Sequence, residues 1–398
     1  MFKLLDGIRI IDLTTIVLGP YATQLLADLG AEVIKIENPR DGGDMARAVG
    51  PHFFGPEDSQ FFHSFNVNKK SLTLDLTQDA GRAIFHQLVK TADAVANNLR
   101  GDVPEKLGLD YASLKEVNPA IICAHLSAYG RTGARRDWPG YDYLMQAEAG
   151  WFSVTGEPGT PPARFGLSVV DMMAGLSMAY ALTSALVAAR ATGLGRDVDT
   201  SLFDLALHNT SYLATWYLNA GVVQDRLPRS AHPVLTPCQL YATADGWVYI
   251  MCNKEKFWPI LADILGHPEW AEDPRFKTFA DRHRHRDEIQ SLLDTALSAA
   301  STATWLETFA GRVPAAPIND IAAAMENPFV AERGGVHDFP HPVEPNAVMR
   351  MPAHPIRDGG GPPPKNPAPA LGADGPDLLA ELGLDAAEIA DLRAKGIV

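Results

Sequence analysis

The sequence predicts an α/β fold with a large parallel-sheet domain and a smaller α+β domain. Three observations predict it. The first fifty residues read as strand, helix, strand; the pattern then recurs; and 398 residues exceed one core of ordinary size. In order, Gly7–Leu13 (GIRIIDL) is a short β-branched run, and Gly19-Pro20 marks a turn. Tyr21–Leu29 has helical spacing and stops at Gly30, a residue suited to a helix C-terminus. Ala31–Glu37 (AEVIKIE) is the next strand, and this spacing makes a βαβ unit.

Ser71–Asp75 (SLTLD) is strand-like and Gly81–Thr91 has a helical period. Ala92–Asn97 and Ala120–Leu126 (AIICAHL) continue the strands. Residues 1–200 therefore form a Rossmann-like domain, without the GxGxxG of a dinucleotide site. A second domain spans 201–330, with a hairpin of Gln239–Thr243 and Gly246–Cys252 and helices at Lys256–Leu265 and Arg286–Ser298. Residues 331–398 return to the large domain through an ordered Pro/Gly-rich arm (Gly359–Gly372) and two helices, Asp377–Gly383 and Ala386–Lys395.

The composition is globular, at 46% hydrophobic and 21% charged residues. A net charge of −14 disfavours nucleic acid as a partner, and three scattered cysteines fit a reducing cytoplasm. Asp6, Arg9 and Asp12 interrupt the apolar N-terminus, which excludes a signal segment there. The apolar run Met172–Ala189 reads as a buried helix rather than a membrane span.

Asp171 precedes that apolar helix. By position it reads first as an N-cap. Because the helix is apolar almost all round, its start is expected inside the protein, where a carboxylate is partly desolvated and chemically useful. Arg40, Arg47, Lys69, Lys70 and Lys106 follow strands or turns, and Asn97-Asn98 follows another. Each basic residue alone reads as surface charge; together they could flank a phosphate-rich ligand at the carboxyl ends of the strands. The histidines show no metal-ligand spacing, and there is no GxSxG or P-loop.

The assembled segments resemble the family III CoA-transferases, the CaiB/BaiF group. Leu5–Asp44 looks like the family's opening. Asn66–Leu76, Asn97–Leu114, Leu126–Gly150, Val154–Gly175 and Thr192–Asp204 follow co-linearly, and Glu381–Val398 ends like it. The resemblance implies an interlocked-ring homodimer and no metal or redox cofactor. It implies CoA transfer between small organic acids, with acyl-CoA and a carboxylic acid as substrates. Asp171 would be the covalent nucleophile, and CoA would lie near Thr15, Ile16, Val17, Arg40, Leu74, Asn98 and Lys106. Arg40 and Lys106 would pair with phosphates.

Departures from the family pattern bear on the substrate. Val17 replaces the Gln of formyl-CoA transferases, the glycine-rich loop is missing around Pro237–Ala244, and Asp374 replaces a tail histidine. These speak against an oxalate/formate substrate pair. Tyr141 stands where the related α-methylacyl-CoA racemases need a histidine base, and a phenol with a reference pKa of about 10 suits proton abstraction poorly. His125 keeps the racemase reading open, and a non-catalytic CoA-binding protein is the third alternative.

Overall fold

The computed structural model describes residues 4–56, 58–341, 344, 346, 348–357 and 366–398. Six strands form its main sheet: β1 (Arg9–Leu13), β2 (Glu32–Glu37), β3 (Lys70–Thr73), β4 (Ala94–Asn97), β5 (Ile122–Ser127) and β6 (Arg196–Ser201). All pairs are parallel, and the spatial order is β3-β2-β1-β4-β5-β6. That order reverses between β1 and β4. In a sheet of this kind the loops at the carboxyl ends of these two strands flank the crevice where ligands usually bind.

Parallel strands need crossover helices, which cover both faces. On one face Ile11, Ile34, Leu72, Val95 and Cys123 pack against Ile84, Phe85 and Leu88 of the helix Asp79–Thr91. Leu378, Leu379 and Ile389 of the two C-terminal helices join the same core. Burying each such aliphatic side chain stabilises by roughly 1.5–3 kcal/mol. Elsewhere the helices Leu18–Asp28 and Val169–Thr192 pack on one another, the second also on β5 and β6. Val169–Thr192 is long and apolar enough to cross a membrane by length and composition, yet Val170, Ala174, Met178 and Leu182 are buried in this packing.

β6 lies at the sheet edge, and the sequence pattern does not show it as a strand. Arg196, Asp197 and Asp199 obscure it, and charges of this kind are typical of an edge.

The chain divides into two compact units. One comprises residues 1–149, 166–211 and 328–398; the other comprises 150–165 and 212–327. Residues 150–165, expected in the first domain, thus belong with the smaller unit, and the first domain's second stretch runs on to Ser211. The smaller unit has an antiparallel sheet of Cys238–Ala242, Trp247–Met251 and Ala315–Pro317 over a core of Tyr241, Trp258, Phe276, Leu293 and Phe309.

Pro/Gly-arm residues 359–365 lie outside the described residues. From Asn366 the chain runs beside β3: Gly372 N–H donates to Ser71 Oγ at 2.9 Å, and Ser71 N–H donates to Asp374 Oδ2 at 2.8 Å. His63 and His341 both contact the Asp58 carboxylate through Nε2 at 2.5 Å. Their Nδ1 atoms accept from Ala368 N–H (3.3 Å) and Glu344 N–H (2.9 Å), so each Nε2 carries the proton. The cluster is a clip between distant segments; in this tautomer neither imidazole offers a metal ion a lone pair.

Candidate active site

The crevice begins where β1 ends. Asp12 and Lys35 are register neighbours on β1 and β2, and both are fully buried. Asp12 pairs with Lys69 at 3.0 Å, and Lys35 pairs with Asp44 at 2.8 Å. Burial alone would push the Asp12 carboxyl up. Lys69, then Lys35 and the hydroxyls of Thr14 and Thr23, outweigh it and hold the carboxyl below its ordinary value.

These groups grip the loop leaving β1. Thr14 N–H donates to Asp12 (2.9 Å), and Thr14 C=O accepts from Lys35 Nζ (2.6 Å). Thr15 N–H and C=O both bond the Asn98 amide at 2.8 Å, tying β1 to β4 across the point of reversal. Ile16 N–H donates to Asp44 Oδ1 at 3.1 Å, and Ile16 adopts φ +70°, a left-handed conformation that a β-branched residue rarely takes. Val17 then caps the helix Leu18–Asp28 without a side-chain hydrogen bond.

Thr15, Ile16, Val17 and Asn98 are therefore brought together. Arg40 and Leu74 follow β2 and β3; the Arg40 guanidinium is exposed and pairs with Asp75 at 3.1 Å. The Leu74 side chain is buried in the core, so only its backbone could face a ligand. Lys106 ends the short helix Val103–Lys106 that follows β4, exposed and paired with Asp102 at 2.5 Å. Three other basic residues considered for the phosphate site are engaged elsewhere. Lys69 is buried on Asp12, Lys70 pairs with Glu32, and Arg47 pairs with Glu37 and stacks on Phe62.

Asp171 is not the helix cap. Ser168 occupies that position, and Asp171 lies in the first turn of Val169–Thr192. Its N–H donates to Asp142 Oδ2 at 2.9 Å, so a carboxylate from the helix Asp142–Glu148 satisfies an orphan donor of this turn. Gln146 orients Asp142 through Oδ1 and donates to Leu167 C=O at 3.3 Å. Among the described residues the Asp171 carboxylate takes no hydrogen bond and meets no cation. Burial, then the nearby Asp142 charge, pushes its pKa up to about 7. Tyr141 immediately precedes Asp142 and is 72% exposed, which leaves its phenol open to a ligand.

Gly175 connects the two clusters. A Cβ there would lie 2.7 Å from Leu18 C=O and 2.8 Å from Tyr21 Cδ1, so only glycine permits this approach. Asp171 precedes it by four residues on the same helix face, about 6 Å along the axis. The helix thus carries the carboxylate about one turn from where it crosses the helix that follows β1.

The sequence profile of CoA-transferase family III matches residues 5–375. The chain belongs to this family. A succinate–glutarate CoA-transferase from Agrobacterium fabrum is 36% identical over 95% of this chain and 95% of its own length. An acetyl-CoA:oxalate CoA-transferase from Acetobacter aceti is 36% identical, covering 89% of each chain. A CaiB/BaiF family crystal structure from Brucella suis superposes with a TM-score of 0.81 at 33% identity, over 96% of this chain and 100% of that one. A parallel six-stranded α/β sheet is thus the scaffold of a family III CoA-transferase.

His125, the residue that kept a racemase in view, has both ring nitrogens engaged, Nδ1 with Asn97 and Nε2 with Asp197, each at 2.9 Å. Neither nitrogen is left for abstracting a substrate proton. Sequence pattern alone does not single out Asp142, Lys35 or Asp44, which the fold places in the candidate site. Two of them leave a signal: Lys35 is a charge inside an apolar parallel strand, and Asp142 precedes Gln146 by one helical turn.

Proposed function

We propose that this family III enzyme moves CoA between small dicarboxylic acids through a covalent intermediate on Asp171. One observation carries the reading: a buried carboxylate that meets no cation among the described residues, its pKa pushed up to about 7, in the first turn of a helix that packs closely on Leu18 and Tyr21 at Gly175. Near neutral pH a large fraction is ionised, and the ionised form is poorly stabilised and hence nucleophilic.

The Asp171 carboxylate attacks the donor thioester carbonyl; the C–S bond breaks, giving a mixed anhydride and CoA thiolate. The thiolate attacks the Asp171 carbonyl, releasing the donor acid and leaving an aspartyl-CoA thioester. The acceptor carboxylate displaces the thiolate again, and thiolate attack on the acceptor's acyl carbon releases the new acyl-CoA and restores Asp171. CoA lies along Thr15–Val17 and Asn98, with Arg40 and Lys106 toward its phosphates and Tyr141 beside the acyl group.

The dicarboxylate class rests on similarity to relatives named for succinate, glutarate and oxalate. Because an oxalate enzyme is among them, Val17 alone does not remove oxalate from the class. The protein acts as an interlocked homodimer. Support for a partner copy comes from exposed apolar side chains in each unit: Leu176, Tyr180 and Val187 in one, Leu218, Val223 and Ile321 in the other.

The test is a donor-by-acceptor screen with labelled acids, combined with hydroxylamine trapping and peptide mapping. Transfer to dicarboxylates with a hydroxamate on Asp171 is expected. Transfer with no adduct there, or α-proton exchange without transfer, would overturn the reading.

A further inference from the structure

The loop that follows β1 is held unusually completely. From Thr14 N–H to Ile16 N–H, each successive backbone donor and acceptor bonds a side chain: Asp12, Lys35, Asn98 twice, then Asp44. Four of these five bonds would suit any buried turn. The fifth differs, because it fixes Ile16 at φ +70°. Such a conformation persists in a β-branched residue only where the surroundings over-determine it, and such positions cluster at ligand clamps.

Asp44 supplies that over-determination. Besides Ile16 N–H, its Oδ1 accepts from Ala46 N–H at 3.0 Å, and its own N–H donates to Glu37 Oε1 at 3.0 Å. Lys35 neutralises it with no side-chain exposure on either partner. Lys35 also bonds Thr14 C=O, so one ion pair fixes both ends of the Thr14–Ile16 segment. A buried charge pair stabilises little by itself, and its retention here fits a role in fixing one conformation.

We propose that Asp44, charged against Lys35, is a positioning residue for CoA: it holds Ile16 left-handed so that the loop presents a preformed surface to the coenzyme. The inference rests on the CoA placement proposed above. It predicts a defect in acyl-CoA binding without one in chemistry.

The test uses the full-length enzyme in the transferase assay. The Lys35→Met/Asp44→Leu double variant removes both charges together, so no lone buried charge remains. Its KM for acyl-CoA is expected to rise about tenfold, with kcat and the acceptor's KM within about twofold. In an Ile16→Gly background, where glycine takes positive φ without strain, the same double change should raise it only about two- to threefold. Asp44→Asn, which keeps an acceptor oxygen, is expected to raise it about threefold and serves if the double variant does not fold. An unchanged acyl-CoA KM in the variant that folds, an equal rise in both backgrounds, or a fall in kcat alone would overturn the proposal. Asn98→Ala separates the two readings. If it too leaves the acyl-CoA KM unchanged, the CoA placement fails; if it raises KM while the Asp44 variants do not, only the positioning role fails.

Discussion

Asp12 and Asp171 are both carboxylates with almost no exposed surface, and their acidities move in opposite directions. Burial opposes the charge at both. At Asp12, Lys69 and Lys35 with two hydroxyls more than offset it, whereas among the described residues Asp171 meets only the like charge of Asp142. Compensation, not depth, separates a carboxylate that holds the fold from one available for chemistry. The end of β1 is electrostatically closed and shapes the crevice. The start of the Val169–Thr192 helix is left uncompensated.

Replacing each carboxylate by its amide tests this contrast directly. Asp171→Asn should lower turnover by about a thousandfold or more, because the amide cannot form the anhydride. It should also stabilise the protein at alkaline pH. With the folded pKa near 7 and the ordinary value at 3.8, the folded state binds more protons in between, so stability falls as pH rises across that window. Thermal unfolding should show a gain of about 1–4 kcal/mol at pH 8 that shrinks toward zero near pH 4. The same gain at both pH values would sink the claim.

Asp12→Asn should do the reverse. It leaves Lys69 buried without its counter-charge, and urea unfolding should report a loss of about 3–5 kcal/mol. A loss below about 1 kcal/mol would mean that Asp12 is not the compensated partner described above. Smaller still is the expected effect at the joint between the two regions. Gly175→Ala places a methyl group against Leu18 C=O and the Tyr21 ring, which should cost about 1–3 kcal/mol. Its turnover should fall more than its acyl-CoA affinity, since the shift moves Asp171 rather than the loop; unchanged turnover would break that link.

The main sheet was largely legible because its strands are short apolar runs and its helices keep their period. GIRIIDL and AEVIKIE fall on β1 and β2 within two residues at each end. β6 was not legible, since an edge strand tolerates charges that erase the apolar signal. Asp171 was visible as a carboxylate at an apolar helix, but its setting was not. The neighbour that raises its pKa lies 29 residues earlier, on another helix. Likewise Lys69 reads as a phosphate-facing cation until the fold places Asp12, 57 residues away, against it. Local pattern shows which residues can carry charge; only tertiary pairing shows which charges are already spoken for.

The smallest expected effect isolates Asp142. Asparagine at this position can still accept the Asp171 N–H through its one oxygen; its NH2 then replaces the oxygen that accepted from Gln146, so Gln146 must turn its amide oxygen toward it and give up its bond to Leu167 C=O, while the like charge beside Asp171 is removed. Burial remains the larger cause of the raised pKa, and the Asp142 charge adds to it. In the wild-type enzyme kcat/KM should climb with pH and level off above about 7, as Asp171 ionises. In Asp142→Asn the same limb should move toward acid by up to about one unit, because the neighbour that disfavours the ionised form is gone. The plateau rate should fall modestly at the same time, since a carboxylate made more stable is a weaker nucleophile. A limb that stays in place would assign the raised pKa to burial alone, and one that moves to higher pH would show that Asp142 stabilises the ionised form of Asp171.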